Sequence, residues 1–236
     1  MNTVARRFSI IASVAAALAL SGCTFGPPVA TPSPEAVATP TPTPTAEPAP
    51  VDPLTRVAEI VVRPEHLEFR DAADTVVSTL SYDADTATFV GTLSTVFAAE
   101  PGQTESPGGM EGPPATAYWW GDGVRVWDDH DESNGWGPID MNVSILFTAP
   151  VVGDGITVRT STGFAPGSDV QALAAELGEP WYGSGYDQVR VETGEPIGEQ
   201  NFDEYENAYS VAVNAWEAYG SSGAVLAPWN FGIGHV

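Results

Sequence analysis

The chain has 236 residues with 31 acidic and 8 basic side chains, a formal net charge of −23, and every basic residue is an arginine. This balance excludes nucleic-acid binding, which needs a basic surface, and it disfavours binding to anionic lipid head groups. An acidic surface of this kind chiefly keeps a protein soluble, although it also attracts cations and basic partners.

The N-terminus has the three zones of a secretory signal peptide, predicted at residues 1–22. Positive charge at Arg6 and Arg7 is followed by an apolar run over residues 10–20, which is too short for a comfortable membrane span, and then by small residues. The segment Leu20-Ser21-Gly22-Cys23 resembles the bacterial lipobox. The resemblance implies that Cys23 is lipidated and becomes the first mature residue, and that acyl chains such as palmitate anchor the protein. The alternative is a secreted protein without an anchor.

Residues 23–53 are predicted to be a lipidated, disordered linker rich in Pro, Thr and Ala. Threonine and proline alternate from Thr39 to Thr45, and a stretch with so few large apolar residues cannot bury enough surface to fold. About 30 such residues would reach on the order of 90 Å from the membrane. Residues 54–236 remain as one acidic domain, which its core alone must stabilise because the chain has no second cysteine for a disulfide.

Two helices are predicted by their apolar periodicity. The first begins near Asp83 or Asp85 and ends at Pro101-Gly102. Its buried stripe comprises Phe89, Val90, Leu93, Val96 and Phe97. The second covers residues 169–177, with a capping box at Ser168–Gln171 and Gly178 after its last turn. Its apolar face comprises Val170, Leu173, Ala174 and Leu177.

The other apolar stretches predict strands. Residues 67–82 read as a hairpin around a turn at 70–74. Further strands are predicted at Ile60–Arg63, Tyr118–Trp127, Met141–Thr148, Ile156–Thr160 and Tyr186–Glu192. After residue 200 the aromatic spacing also fits a helix, but alternation from Tyr209 and a glycine-bounded turn at 220–223 favour two strands. The predicted class is α+β, with antiparallel sheet and two short helices on one face.

A faint internal repeat suggests two related helix-plus-sheet halves, 54–135 and 136–236. Ile60–Arg63 echoes Ile156–Arg159, and each is followed by a helix that ends in Glu-Pro and then by a Val-Arg-Val strand. Chance similarity of common residues is the alternative. The layout resembles small exported binding or inhibitor modules built from tandem repeats, and this likeness concerns fold rather than function.

An acidic segment at residues 127–136 has oxygen ligands at alternating positions. Asp129, Asp131 and Ser133 occupy positions one, three and five of an EF-hand-like count, and Asp140 falls at position twelve. Asn134 stands where glycine normally makes the turn, and a strand rather than a helix precedes the segment. The segment is therefore interpreted as a solvated acidic loop, with a weak calcium site as the alternative.

Aromatic residues supply the candidate ligand-binding positions. In Trp119-Trp120 a strand would direct one ring to each face, and Trp181-Tyr182 opens a glycine-rich loop after a helix. Exposed aromatic side chains are common contact residues for glycans and protein partners. The candidates are Trp119, Trp120, Trp181 and Tyr182, and packing in the core is the alternative role.

The sequence favours no enzyme class. It has no Gly-x-Ser-x-Gly elbow, Walker loop or dinucleotide fingerprint, and His66, His130 and His235 lie far apart. The whole chain resembles actinobacterial secreted lipoproteins, which implies a location at the cell membrane but no particular activity. We expect a binding module on the extracytoplasmic face, without a cofactor, whose partner is an envelope protein or a glycan. The alternatives are an envelope hydrolase with a carboxylate site and a calcium-stabilised structural surface protein.

Overall fold

The computed structural model describes residues 51–109, 114–130, 143–202, 205–217 and 224–229, and at 196–202, 205–209 and 229 it describes the backbone alone. These residues belong to one unit, Ala49–Val236. The predicted signal peptide, Cys23 and nearly all of the predicted linker lie outside the described residues. Among the described residues there are two helices and twelve strands in two sheets, which confirms the predicted α+β class.

The elements divide between a five-stranded and a seven-stranded sheet. In chain order they are a 3-10 turn (Pro53–Arg56), β1 (Val57–Val62), β2 (His66–Asp71), β3 (Val76–Ser81), α1 (Thr86–Phe97), β4 (Gly102–Ser106), β5 (Ala115–Trp120), β6 (Val124–Asp128), β7 (Ser144–Phe147), β8 (Val151–Val152), β9 (Ile156–Thr160), α2 (Val170–Leu177), β10 (Gln188–Phe202), β11 (Tyr205–Glu217) and β12 (Ala224–Trp229). The first sheet has the order β3-β2-β1-β9-β8, and the second has the order β10-β11-β12-β7-β6-β5-β4. Neighbouring strands are antiparallel except β1 and β9, which pair in parallel with Ile60 opposite Val158. A parallel pair requires a long connection, and here the connection contains β2, β3, α1 and the strands β4 to β8.

Turn residues produce the hairpins that the sequence predicts. Strands β2 and β3 pair around a turn in which Asp74 adopts a left-handed φ of 61°. The stretch Tyr118–Trp127, predicted as one strand segment, instead contributes to two antiparallel strands, β5 and β6, joined by a turn in which Gly121 has φ 58°. Strands β11 and β12 are antiparallel, with Leu226 opposite Ala215. The strand interpretation of the C-terminal stretch is therefore confirmed, and its helical alternative is wrong.

Helix α1 packs its apolar stripe into the core. It begins after Asp85, whose carboxylate accepts a hydrogen bond from the Thr88 N–H at 2.9 Å, so one of the two predicted starts is confirmed. Ala98 takes a left-handed conformation and ends the helix before Pro101. The buried positions are Phe89, Leu93, Val96 and Phe97. Val90 was predicted on the same stripe but is only half-buried.

Helix α2 differs from its prediction in two details. The Asp169 carboxylate caps the helix by accepting from the Ala172 N–H at 2.9 Å, so the predicted Ser168–Gln171 capping box is wrong by one residue. Gly178 closes the helix with φ 72°, as predicted. Leu177 was predicted on the apolar face but is 44% exposed, because it lies in the last turn beyond the core contacts of Val170 and Leu173.

The two segments of the predicted repeat lie side by side as β1 and β9. Each helix follows a strand of the first sheet and precedes antiparallel strands of the second sheet, so the chain passes twice through the same order of elements. One hydrophobic cluster draws on both sheets and both helices. This order supports two related halves, and their common origin stays a prediction. In the described part of the chain, neither helix has the length and apolar character of a membrane span.

Candidate ligand-binding site

The adjacent tryptophans of β5 have different surroundings. Trp120 is 6% exposed, its ring centroid lies 5.7 Å from that of Phe97, and its Nε1–H donates to the Ala99 carbonyl at 3.0 Å. Trp119 is half-buried on the other face, where its ring covers Gly102 of the neighbouring strand so closely that a side chain at 102 would collide with it. The structure therefore places Trp120 in the core and Trp119 on a sheet surface.

The aromatic loop, Trp181–Tyr186, presents two tyrosines to solvent. Trp181 packs against the core, whereas Tyr182 is 81% and Tyr186 is 71% exposed. The buried carboxylate of Asp187 accepts hydrogen bonds from the loop. It accepts from the Tyr182 N–H at 2.7 Å and from the N–H and hydroxyl of Ser184 at 2.5 and 2.9 Å. Hydrogen bonds to Asp187 thus shape the backbone that carries these exposed rings.

The same hydrogen bonds keep Asp187 ionised. Burial alone would raise the pKa of this carboxyl, but the donors of Tyr182 and Ser184 outweigh burial and hold the pKa below its usual value. At the base of the loop, Arg190 pairs with Glu179 at 3.0 Å and ties β10 to the end of α2. Two neighbouring segments of the chain therefore support the loop.

The predicted acidic loop is described only at its start. Asp129 is half-buried, whereas Asp131, Ser133 and Asp140 lie outside the described residues. In the described part of the chain, no group of three or more His, Cys, Asp and Glu side chains is arranged to hold a metal ion. Calcium binding at this loop stays a prediction.

Beside this loop, Asp128 joins the start of α1 to the end of β6. The Thr86 hydroxyl donates to Asp128 Oδ2, and the His130 N–H donates to Oδ1, each at 2.8 Å. The His130 ring lies between two partners. Its Nδ1 is 3.3 Å from Asp128 Oδ2, and its Nε2 is 2.9 Å from Thr116 Oγ1. A hydrolase triad has the same hydroxyl–imidazole–carboxylate order, but Thr116 is 4% exposed and a substrate could not reach its oxygen. The arrangement therefore connects a helix and a sheet rather than presenting a nucleophile.

The outer face of the first sheet carries an ion-pair network. Glu68, 8% exposed, accepts hydrogen bonds from Arg63 at 2.8 Å and from Arg70 at 2.6 Å. Arg159 pairs with Glu59 at 2.7 Å on the same face. Since carboxylates of the chain already neutralise these three guanidinium groups, the network stabilises the sheet and is a poor site for an external anion.

An open groove of about 690 Å³ runs along α1, and we call it the α1 groove. One wall is a helix face of mostly small residues, which includes Ala87, Gly91, Ser94 and Ala98. Tyr118 and Asp128 form the opposite wall, and Glu100 follows the helix at the far end. Twelve helical residues span roughly 18 Å, so the groove can hold an extended molecule.

The groove is acidic. Burial first, and then the charges of Asp128 and Glu105, raise the pKa of the Tyr118 phenol, which stays protonated at neutral pH and able to donate. Asp128 and Glu100 are the charged residues of the described lining, which contains no arginine. The surface therefore favours a ligand with hydrogen-bond donors or positive charge.

Gly91 and Ser94 are the unusual residues of the helix wall. A glycine inside a helix destabilises it by about 0.5–1 kcal/mol relative to alanine, yet a Cβ at position 91 would meet nothing within 4 Å. The Ser94 Oγ is buried and has no hydrogen-bond partner among the described residues. In the same helix the hydroxyls of Thr92 and Thr95 donate to carbonyls one turn back.

Sequence reasoning did not identify the α1 groove. Its walls come from α1, β5 and β6, and their adjacency follows from sheet pairing that no local pattern encodes. One signal was visible, because a glycine in the middle of a strong helical pattern suggests a packing or functional reason. Of the predicted aromatic candidates, Trp181 and Tyr182 belong to the aromatic loop, and neither Trp119 nor Trp120 lines the groove.

Comparison with known proteins gives no relative for this chain. No family model and no curated protein matches it. No solved structure matches it either, so no ligand or activity is carried over from another protein.

Proposed function

We propose that the protein is a lipid-anchored binding domain of the bacterial cell envelope, and that its ligand occupies the α1 groove. The signal-peptide pattern, the lipobox-like Cys23 and the Pro/Thr-rich linker support an anchor on the extracytoplasmic face of the membrane. The acidic surface disfavours nucleic acid as a partner. The arrangement of Thr116, His130 and Asp128 gives no support to hydrolysis through a hydroxyl nucleophile, because Thr116 is buried.

The observation that carries the proposal is Gly91. Neither packing nor backbone conformation requires glycine here, since its Cβ position is open and its φ is not left-handed. The space that a side chain at position 91 would occupy is part of the α1 groove. An exposed helix glycine that lowers stability and lines a groove supports a functional use of that groove.

Replacing Gly91 by leucine is expected to stabilise α1 by about 0.5–1 kcal/mol and to fill the groove. We would screen small polar compounds against the full-length protein in neutral detergent, by ligand-observed NMR. Compounds that bind the native protein are expected to lose binding to the Gly91→Leu variant. Gly109→Leu is the matched control, because position 109 is also open but lies outside the groove. Equal binding by all three proteins would contradict the groove assignment.

The anchor is tested separately with Cys23→Ser in a bacterial host. The native protein is expected to take up labelled palmitate and to sediment with membranes, because two or more acyl chains give stable attachment. The variant is expected to carry no label and to leave the membrane fraction. Unchanged labelling of the variant would show that Cys23 is not the lipidated residue.

The aromatic loop supports a second contact surface. Two exposed tyrosines on a backbone that Asp187 already holds can bind a glycan or a protein partner with little loss of conformational entropy. This contact would add to binding in the α1 groove, since the two sets of residues do not overlap.

A further inference from the structure

We infer that a second cavity binds one sugar ring of a neutral glycan. This cavity holds about 450 Å³ beside the turn between β5 and β6, and its lining includes Trp119, Trp120, Glu100 and Asp122. We call it the tryptophan cavity, and its volume lies in the range of roughly 300–1,000 Å³ that is common for small-ligand sites. The site lies beyond the proposed function, because among the described residues it shares only Ala99 and Glu100 with the α1 groove.

Trp119 supplies an aromatic surface at the tryptophan cavity. Gly102 lies directly opposite Trp119 in the β4–β5 pair, and the indole ring covers it in the place of a side chain. The ring is only half-buried in this position, so part of its surface is accessible to solvent. A pyranose ring has one face of C–H groups, which packs favourably on the electron-rich face of an indole. The glycine on the neighbouring strand therefore gives Trp119 a position in which it can stack on a sugar.

The inner wall of the tryptophan cavity is apolar. The rings of Phe97 and Trp120 line it, with their centroids 5.7 Å apart. The only polar atom of these two side chains, Trp120 Nε1, already donates to the Ala99 carbonyl. Gly153 completes this wall, and a Cβ at that position would lie 3.0 Å from Phe97 Cδ1. A ligand must therefore combine an apolar face with polar groups, as a sugar does.

Three polar groups of the lining are available to a ligand. In the described part of the chain, the Trp119 Nε1–H has no acceptor. Glu100 and Asp122 are exposed, and among the described residues neither carboxylate forms an ion pair or a hydrogen bond. A sugar hydroxyl both donates and accepts, so the hydroxyls of one ring can bond to the carboxylates and to the indole N–H together.

The charges of the tryptophan cavity favour a neutral ligand. Its two carboxylates repel an anionic sugar, in a chain whose formal net charge is already −23. An alkylammonium group would pair with the carboxylates, but it has no acceptor for the Trp119 N–H. A neutral glycan uses the carboxylates, the N–H donor and the aromatic ring at the same time.

The test is an NMR titration of the full-length protein with cellotriose, maltotriose and mannotriose. A polyoxyethylene detergent is used, because glycoside detergents would compete for the site. At least one trisaccharide is expected to bind, with an affinity that does not change with salt concentration. Trp119→Ala should weaken binding more than about tenfold, since the stacking surface and the N–H donor are both lost. Asp122→Ala should weaken it about tenfold, and this variant keeps the backbone carbonyl that accepts from Thr148.

Trp127→Ala is the matched control, because it removes a tryptophan of the neighbouring strand that lies outside the described lining of the cavity. Equal losses in Trp127→Ala and Trp119→Ala would overturn the inference, since the sugars would then recognise no particular ring. It would also be overturned if none of the three trisaccharides bound. Tetramethylammonium is titrated in parallel, and binding of this ion alone that required Trp119 would assign the cavity to a cation.

Gly91→Leu separates this site from the α1 groove. Position 91 lines the groove and not the tryptophan cavity, so the variant is expected to bind the trisaccharides as the native protein does. Sugar binding that required Gly91 but not Trp119 would place the glycan in the α1 groove, which would overturn this inference and support the proposed function. Sugar binding that required Trp119 alone would support the tryptophan cavity whatever the fate of the groove.

Discussion

Replacing Leu93 by alanine is expected to lower the free energy of unfolding by about 2–5 kcal/mol, and the melting temperature on the order of 10 °C. Leu93 lies on the buried face of α1 with no exposed surface, and it belongs to the cluster that draws on both sheets. Its truncation removes buried apolar surface and leaves a cavity that a close-packed core fills only in part. Urea denaturation of the full-length protein measures the change.

Leu177→Ala is the matched control, because it makes the same chemical change on the other helix. Leu177 is 44% exposed, so its truncation is expected to cost less than about 1 kcal/mol. The comparison also tests the one position of the apolar face of α2 that the sequence assigned wrongly. Similar losses for the two variants would mean that Leu177 contributes to the core and is less exposed than 44%.

Replacing Glu68 by glutamine is expected to lower the free energy of unfolding by about 2 kcal/mol at neutral pH, since a largely buried charged hydrogen-bond acceptor is lost. The change removes the anion that Arg63 and Arg70 share, while Arg63 keeps Glu192 and Arg70 keeps Asp74 as carboxylate partners. The loss is smaller than the roughly 3–5 kcal/mol of a fully buried pair, because these side chains are 32% and 21% exposed and water solvates them in part.

The effect is expected to depend on pH with a definite sign. Burial alone would raise the pKa of Glu68, but the hydrogen bond from Arg70 and the charge of Arg63 outweigh burial and hold the pKa below its usual 4.5. A lowered pKa stabilises the fold above the unfolded value, and this contribution disappears as pH falls through the folded value. The stability difference between native protein and variant should therefore be complete above about pH 5 and shrink in more acidic solution.

Asp74→Asn controls for the loss of a carboxylate near the same arginine. Asp74 also forms an ion pair with Arg70, at 2.7 Å, but the Asp74 side chain is 70% exposed. Exposed ion pairs contribute little to stability, so this variant should unfold close to the native protein at every pH. A difference between native protein and Glu68→Gln that persisted unchanged in acid would show that charge at Glu68 is not the cause.

Local patterns were enough to predict the helices and the hairpins. The stripe of α1 and the glycine after α2 follow from periodicity and capping chemistry, which act over a few residues. The capping box at Ser168 was wrong because Asp169, one residue later, supplies an equally good acceptor. The sequence did not reveal that β1 pairs with β9, because pairing between distant strands depends on the whole core.

The candidate site was predicted less completely than the fold. The aromatic loop was placed correctly after α2 because glycine and aromatic residues mark it in the sequence, although the role of Asp187 beneath it was not foreseen. The sequence alone could not show that Trp120 is buried, because its burial depends on the packing of α1 over β5. The α1 groove was missed because it lies between elements rather than within one.

The parallel pair of β1 and β9 also sets an order for folding. Ile60 and Val158 lie about a hundred residues apart in the chain, and contacts between such distant residues form slowly because a long loop must close first. A chain is synthesised from its N-terminus, so β1 must wait for β9 before the first sheet can be completed. Until then its hydrogen-bonding edge is open, and a strand with an open edge is exposed to incorrect pairing. Early folding of the β2–β3 hairpin against β1 would protect one of its two edges during that interval.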